Sequence, residues 1–136
     1  MKEVLDLIKK HEGWEPKVYK CSEGFDTIGI GFKVTDLHLT EDVCDIILEQ
    51  KIDKILSTLD RKAPWVEELP NEAQMVVINM CYQMGVSGVL KFKKTLTAMK
   101  AEDWGEASKE MLDSLWARQT PNRANELSDI IRNIDG

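Results

Sequence analysis

The sequence predicts an α+β fold, mostly α, with one small β element near the front. Three observations carry this. Apolar residues recur at helical spacing over most of the chain. One stretch, KVYKCSEGFDTIGIGF, replaces that spacing with β-branched residues set between glycines. Proline and glycine breaks then cut the remainder into several helices. At 136 residues the chain suits one domain, or two small lobes sharing a linking helix.

Val4, Leu5 and Ile8, widened by Leu7, define a first helix that ends near His11 or Glu12, with Gly13 as its stop. KVYK then has strand character, CSEG reads as a turn, and FDTIGIGF resumes alternation. Phe25, Thr27 and Gly29 would face one way, Asp26, Ile28 and Ile30 the other. A small hairpin is favoured over an unpaired glycine-rich loop. A long helix follows from Thr40, a plausible N-cap, with Glu41 and Asp42 at the positive end of its dipole. Leu48, Ile52, Ile55, Leu56 and Leu59 continue its apolar face, until Ala63-Pro64-Trp65 breaks it. Pro70-Asn71 opens a helix that is apolar nearly all round from Met75 to Met80, apart from Asn79, which predicts burial on every side. Gly85 closes it. Phe92, Leu96 and Met99 mark the next helix, and Trp104, Met111, Leu115 and Trp116 mark another. The last opens with Thr120 as N-cap and Pro121 at its first position, with Leu127, Ile130, Ile131 and Ile134 inward.

Composition narrows the function. The net charge of -6 argues against a broad nucleic-acid footprint, which needs a basic face. The N-terminal MKEVLDLIKKHEG has no apolar signal core, and no stretch approaches membrane-spanning length, so synthesis in a cytoplasm is expected. Cys21, Cys44 and Cys81 cannot all pair with one another, which predicts free thiols. His11, His38 and the cysteines lack metal-ligand spacing, so no metal and no cofactor is expected.

Several polar groups invite a chemical reading. Glu12, an acid at a helix C-terminus, sits badly with the dipole there, a placement suited to a proton donor. Cys21 and Thr27 flank the hairpin turn, where a thiol and a hydroxyl could hold a water; a Cys21–His11 nucleophile is the alternative. Arg123, a cation in the first turn of the last helix, calls for an acidic partner, of which Glu12 is one candidate. Trp104 and Trp116 are sugar-stacking platforms or core, and Tyr82 and Gln83 are better placed to reach a cleft.

Four pieces then line up in order: Glu12-Gly13, Ser22 through Gly31, Asn79 through Gly85 and on to Phe92, and Trp116 through Ala124. Together they resemble the phage-type lysozymes, the endolysins of T-even phages and their relatives. The resemblance covers nearly the whole chain. It implies one lysozyme-like domain over 1–136 with two lobes: about 13–59 as the small lobe and connecting helix, and about 60–136 plus the N-terminal helix as the helical lobe. It implies hydrolysis of the β-1,4 bond between N-acetylmuramic acid and N-acetylglucosamine, with inversion, in host lysis by a phage. Glu12, Cys21 and Thr27 match the family's catalytic spacing, Glu12 as general acid and the other two positioning water. Cys21 stands where most relatives have Asp, and Phe32 where they have His. The resemblance places Lys33, Tyr82, Thr95 and Glu110 among saccharide-contacting positions, and Arg123 as the support of the acid. The short segment from Phe32 to Thr40 implies loss of a small-lobe helix. The expected partner is peptidoglycan, met by a monomer that leaves the host cytoplasm through holin lesions, without membrane insertion. A lysozyme-like module that only binds wall or protein, and a thiol enzyme using Cys21 with His11, are the alternatives.

Overall fold

Gly13 ends the first helix as its position predicts. In the computed structural model, which describes residues 1–135, helix α1 spans Lys2–Glu12, and Gly13 turns away at φ +76° while donating its N–H to the Lys9 carbonyl at 2.8 Å. The chain divides into two compact units, the first Met1–Cys44 and the second beginning at Asp45.

In the first unit, β1 (Glu15–Lys20) and β2 (Asp26–Gly29) form the expected hairpin. They are antiparallel, with Tyr19 opposite Thr27 and Lys20 opposite Asp26; a bulge shifts the register between Glu15 and Tyr19. Lys20 and Asp26 also pair as ions across the two strands, at 2.7 Å. A third strand, β3 (Phe32–Lys33), adds to β2, which is therefore central. Two residues are too few to show alternation, so this strand is not apparent in the sequence. Between β3 and the next helix lies only a 3-10 turn, Val34–Asp36.

Helix α2 (Glu41–Lys62) begins in the last residues of the first unit and runs into the second. Thr40 caps it, its hydroxyl accepting the Val43 N–H at 3.3 Å. A 3-10 segment, Pro64–Glu68, follows the break at Ala63. Then come α3 (Asn71–Val89), α4 (Lys93–Lys100), α5 (Trp104–Leu112), α6 (Leu115–Gln119) and α7 (Pro121–Arg132). Val76, Val77 and Met80 of α3, Met99 of α4, Met111 of α5 and Ile131 of α7 are fully buried and form the centre of the second unit. A buried hydroxyl pair, Ser108 and Ser128 at 2.5 Å, joins α5 to α7. The architecture is α+β and mostly α, as the sequence predicts.

Three local expectations are corrected and a fourth is met only in part. Helix α3 is not buried all round: Met75 is 63% exposed, Asn79 and Tyr82 are exposed, and these three lie at i, i+4 and i+7. Asn79, the one polar residue in the run, marks that outward stripe. Gly85 breaks α3 at φ +80°, but helical turns resume beyond it to Val89. The helix expected to run from Trp104 to Trp116 is two. The Ser114 hydroxyl donates to the Met111 carbonyl at 2.7 Å and accepts the Ala117 N–H at 3.1 Å, closing α5 and capping α6. Finally, Thr120 stands at the N-cap of α7 as expected, but its side chain makes no capping bond; its hydroxyl donates to the Trp116 carbonyl at 2.9 Å.

Candidate active site

The first unit gathers Glu12, Cys21 and Thr27 around its small sheet. Glu12 is the last residue of α1, and its carboxyl lies over Gly31, in the turn from β2 to β3. A methyl group at Gly31 would overlap the Glu12 carboxylate oxygen and come within 2.9 Å of its Cδ. The missing side chain is therefore the space the carboxyl occupies, and Gly31 also holds φ +71°, a conformation that favours glycine. From sequence Gly31 is only a turn former; nothing in the local pattern says which side chain passes over it.

Cys21 follows β1 directly. Its N–H donates to the Phe25 carbonyl at 3.0 Å, and its own carbonyl accepts the Gly24 N–H at 2.9 Å, so a tight turn fixes the thiol. The thiol is held below its ordinary range, chiefly by the Phe25 backbone N–H and next by that of Glu23; desolvation and the Glu23 charge oppose them. Thr27 is buried, and its hydroxyl donates to the Phe25 carbonyl at 2.9 Å. The sequence brought Cys21 and Thr27 to one turn but could not show the amide donors, which are backbone groups.

Lys33 lies opposite Thr27 in the β2–β3 pairing, and its ammonium sits 4.3 Å from the centre of the Phe25 ring. It borders a shallow hollow of about 380 Å³ with Gly31, Phe32 and Asp36.

In the second unit, Thr95 and Glu110 share a groove of about 690 Å³ with Gln83, Phe92 and Trp116. The Trp116 indole N–H donates to Gln83 Oε1 at 2.8 Å, and its ring meets Phe92 edge-on at 6.0 Å. Both Trp104 and Trp116 are buried, so they serve as core rather than as exposed stacking platforms. Tyr82 belongs to a different hollow, between α2 and α3. Arg123 directs Nε and one terminal nitrogen to Asn79 Oδ1 at 2.9 and 2.7 Å, and that nitrogen also to the Asn79 carbonyl at 3.2 Å. Within its own unit the partner is thus an amide, a residue the sequence marked only as the polar exception in an apolar helix. Among the described residues, no three His, Cys, Asp or Glu side chains gather as a metal-ligand set.

The three cysteines are free thiols in three environments: Cys21 half-buried, Cys44 exposed, Cys81 buried and pushed up to about 11 by desolvation. Alkylation by iodoacetamide, followed by mass spectrometry against pH, is expected to modify Cys21 with a midpoint below that of the same thiol in the unfolded chain, and to spare Cys81 until the protein unfolds. Folding depresses the Cys21 pKa, so its contribution to stability is present above the unfolded value and lost as pH falls through the folded one. Cys81 acts oppositely: its contribution is complete below about 8.5 and lost as pH rises through about 11.

Comparison with known proteins places the whole sequence in a family. The sequence model of the phage lysozyme family matches residues 9–129. The probable T4-type lysozyme 1 of Dictyostelium discoideum is 32% identical, with 94% of this chain and 92% of the relative aligned. The probable T4-type lysozyme 2 of the same organism is 29% identical, over 93% and 92%. The pre-baseplate central spike protein Gp5 of Enterobacteria phage T4 is 32% identical over 94% of this chain, but over only 27% of its own length. The first alignment spans 158 positions and so exceeds the length of this chain, which therefore lacks residues that the relative carries.

Proposed function

The chain belongs to the phage lysozyme family, a family of peptidoglycan hydrolases, and we propose that it cleaves the β-1,4 bond between N-acetylmuramic acid and N-acetylglucosamine with Glu12 as general acid. One observation carries the assignment of the acid: the space over Gly31 is kept free of any side chain and filled by the Glu12 carboxyl. A glycosidic oxygen leaves poorly as an alkoxide, so it must receive a proton as its bond breaks. Glu12 supplies that proton. The sugar then develops oxocarbenium character, and water attacks its opposite face.

Cys21 and Thr27 hold that water. The proposed outcome is inversion, with the water on the face of the sugar opposite the leaving oxygen. The lowered Cys21 pKa supports a thiolate that accepts the water's proton. The saccharide contacts expected of Lys33, Tyr82, Thr95 and Glu110, and the support of the acid expected of Arg123, are part of the same proposal. So is a role in phage release, with the protein made in the host cytoplasm and acting on the wall after passage through membrane lesions.

The test is hydrolysis of isolated peptidoglycan followed by NMR of the first product anomer. The expected result is new reducing ends of inverted configuration. Cys21→Asp is expected to keep or raise turnover, because a carboxylate accepts a proton without needing the amide donors that favour the thiolate. Binding to wall without new reducing ends, in both wild type and Cys21→Asp, would leave the binding-module reading instead; the substitution at Cys21 is what favours that second reading.

A further inference from the structure

Gly31 is one of two glycines in its turn whose missing side chain is replaced by another group. Gly29, at the end of β2, holds the same φ of +71°. A methyl group built on it would come within 2.9 Å of Phe32 Cδ2 and 3.0 Å of Phe32 Cε2. The Phe32 ring therefore occupies the side-chain space at Gly29, as the Glu12 carboxyl does at Gly31. Between Ile28 and Phe32, which face each other across β2 and β3, the chain reverses through Gly29, Ile30 and Gly31. Glycine populates positive and negative φ about equally, so this reversal has little intrinsic preference for one shape. The β2–β3 ladder adds little, because β3 is only two residues long. What remains to hold the turn is the apolar contact of the ring with the Gly29 backbone.

The carboxyl needs that support. Among the described residues of the first unit, no hydrogen bond or ion pair holds the Glu12 side chain. Its place is set by its contact with Gly31, so whatever fixes Gly31 fixes the acid. We infer that Phe32 is a positioning residue: its ring locks the turn at Gly29, and the locked turn presents Gly31 as the seat of the Glu12 carboxyl. The inference rests on the muramidase reading for the reaction that the acid serves, but the seating itself requires no turnover.

The experiment reads both. With soluble peptidoglycan fragments, Phe32→Ala, checked for folding by circular dichroism, is expected to lower kcat about 10-fold with KM nearly unchanged, since an acid about 1 Å out of place costs roughly 100-fold and an unlocked turn still samples its seat. Phe32→Tyr keeps the ring and is expected to restore the rate. Without substrate, the Gly31 NMR signals of the wild type are expected to shift with pH as the carboxyl above them ionises. Glu12→Gln should abolish that shift, and Phe32→Ala should lose most of it. Should Phe32→Ala not fold, Gly29→Ala displaces the ring from the other side, with Gly85→Ala, at φ +80° and with nothing within 4 Å, as the control for backbone strain. An unchanged kcat in folded Phe32→Ala, a loss confined to KM, or a Gly31 signal that ignores either substitution would overturn the inference. A wild type that released no reducing ends would sink the muramidase reading, and the Gly31 signal would still decide this one.

Discussion

Glu12→Gln is expected to remove turnover while leaving the fold intact. The amide is close to the carboxyl in size and shape, so the space over Gly31 remains filled and α1 keeps its end at Gly13. What is lost is the transferable proton. General acid catalysis contributes roughly 100- to 10,000-fold, so release of reducing ends should fall by at least about 100-fold, with an unchanged circular dichroism spectrum. Retained activity in a folded Gln variant would remove Glu12 from the chemistry.

The second large effect is expected at a residue with no functional group. Gly31→Ala places a methyl where the Glu12 carboxyl lies, so the acid must move. Displacing a reacting group by about 1 Å can cost roughly 100-fold in rate, and that is the loss expected here. The substitution also forces alanine into a left-handed conformation, at a cost of about 1–2 kcal/mol. Gly85→Ala separates the two effects. Gly85 has a similar φ of +80°, and a methyl built there meets nothing within 4 Å. Both variants should therefore lose comparable stability, measured by thermal melting, whereas only Gly31→Ala should lose the rate factor. Equal activities in the two would mean that the position of the carboxyl over Gly31 is unimportant.

Much of this fold is legible in the sequence, for local reasons. Gly13 stops α1, Thr40 caps α2 and Pro121 starts α7, and each signal acts within one turn of its own residue. The misses are equally physical. Leu115 and Trp116 continue the apolar spacing of α5, so the sequence reads through Ser114, whose two hydrogen bonds split the helix. Met75 has the hydrophobicity of a core residue yet faces outward, because the geometry of α3 sets its direction. At the candidate site, the family resemblance singled out Glu12, Cys21 and Thr27. It did not reveal the space reserved at Gly31, nor the Phe25 and Glu23 amides that act on the thiol, since neither effect depends on a side chain that a reader of the sequence would weigh. Arg123 was expected to seek an acid; Asn79, 44 positions earlier, offers both its side-chain and its backbone oxygen, a pairing that only the packing of α7 on α3 creates.

Thr27 has one hydroxyl hydrogen, and the Phe25 carbonyl takes it. From outside, that oxygen is therefore a pure acceptor, and any visitor must arrive with a hydrogen of its own to offer. Water and small alcohols satisfy this condition; a bare halide or a ketone does not. Short alcohols added to the reaction would thus compete with water at this edge and slow hydrolysis, whereas acetone at the same concentration would not.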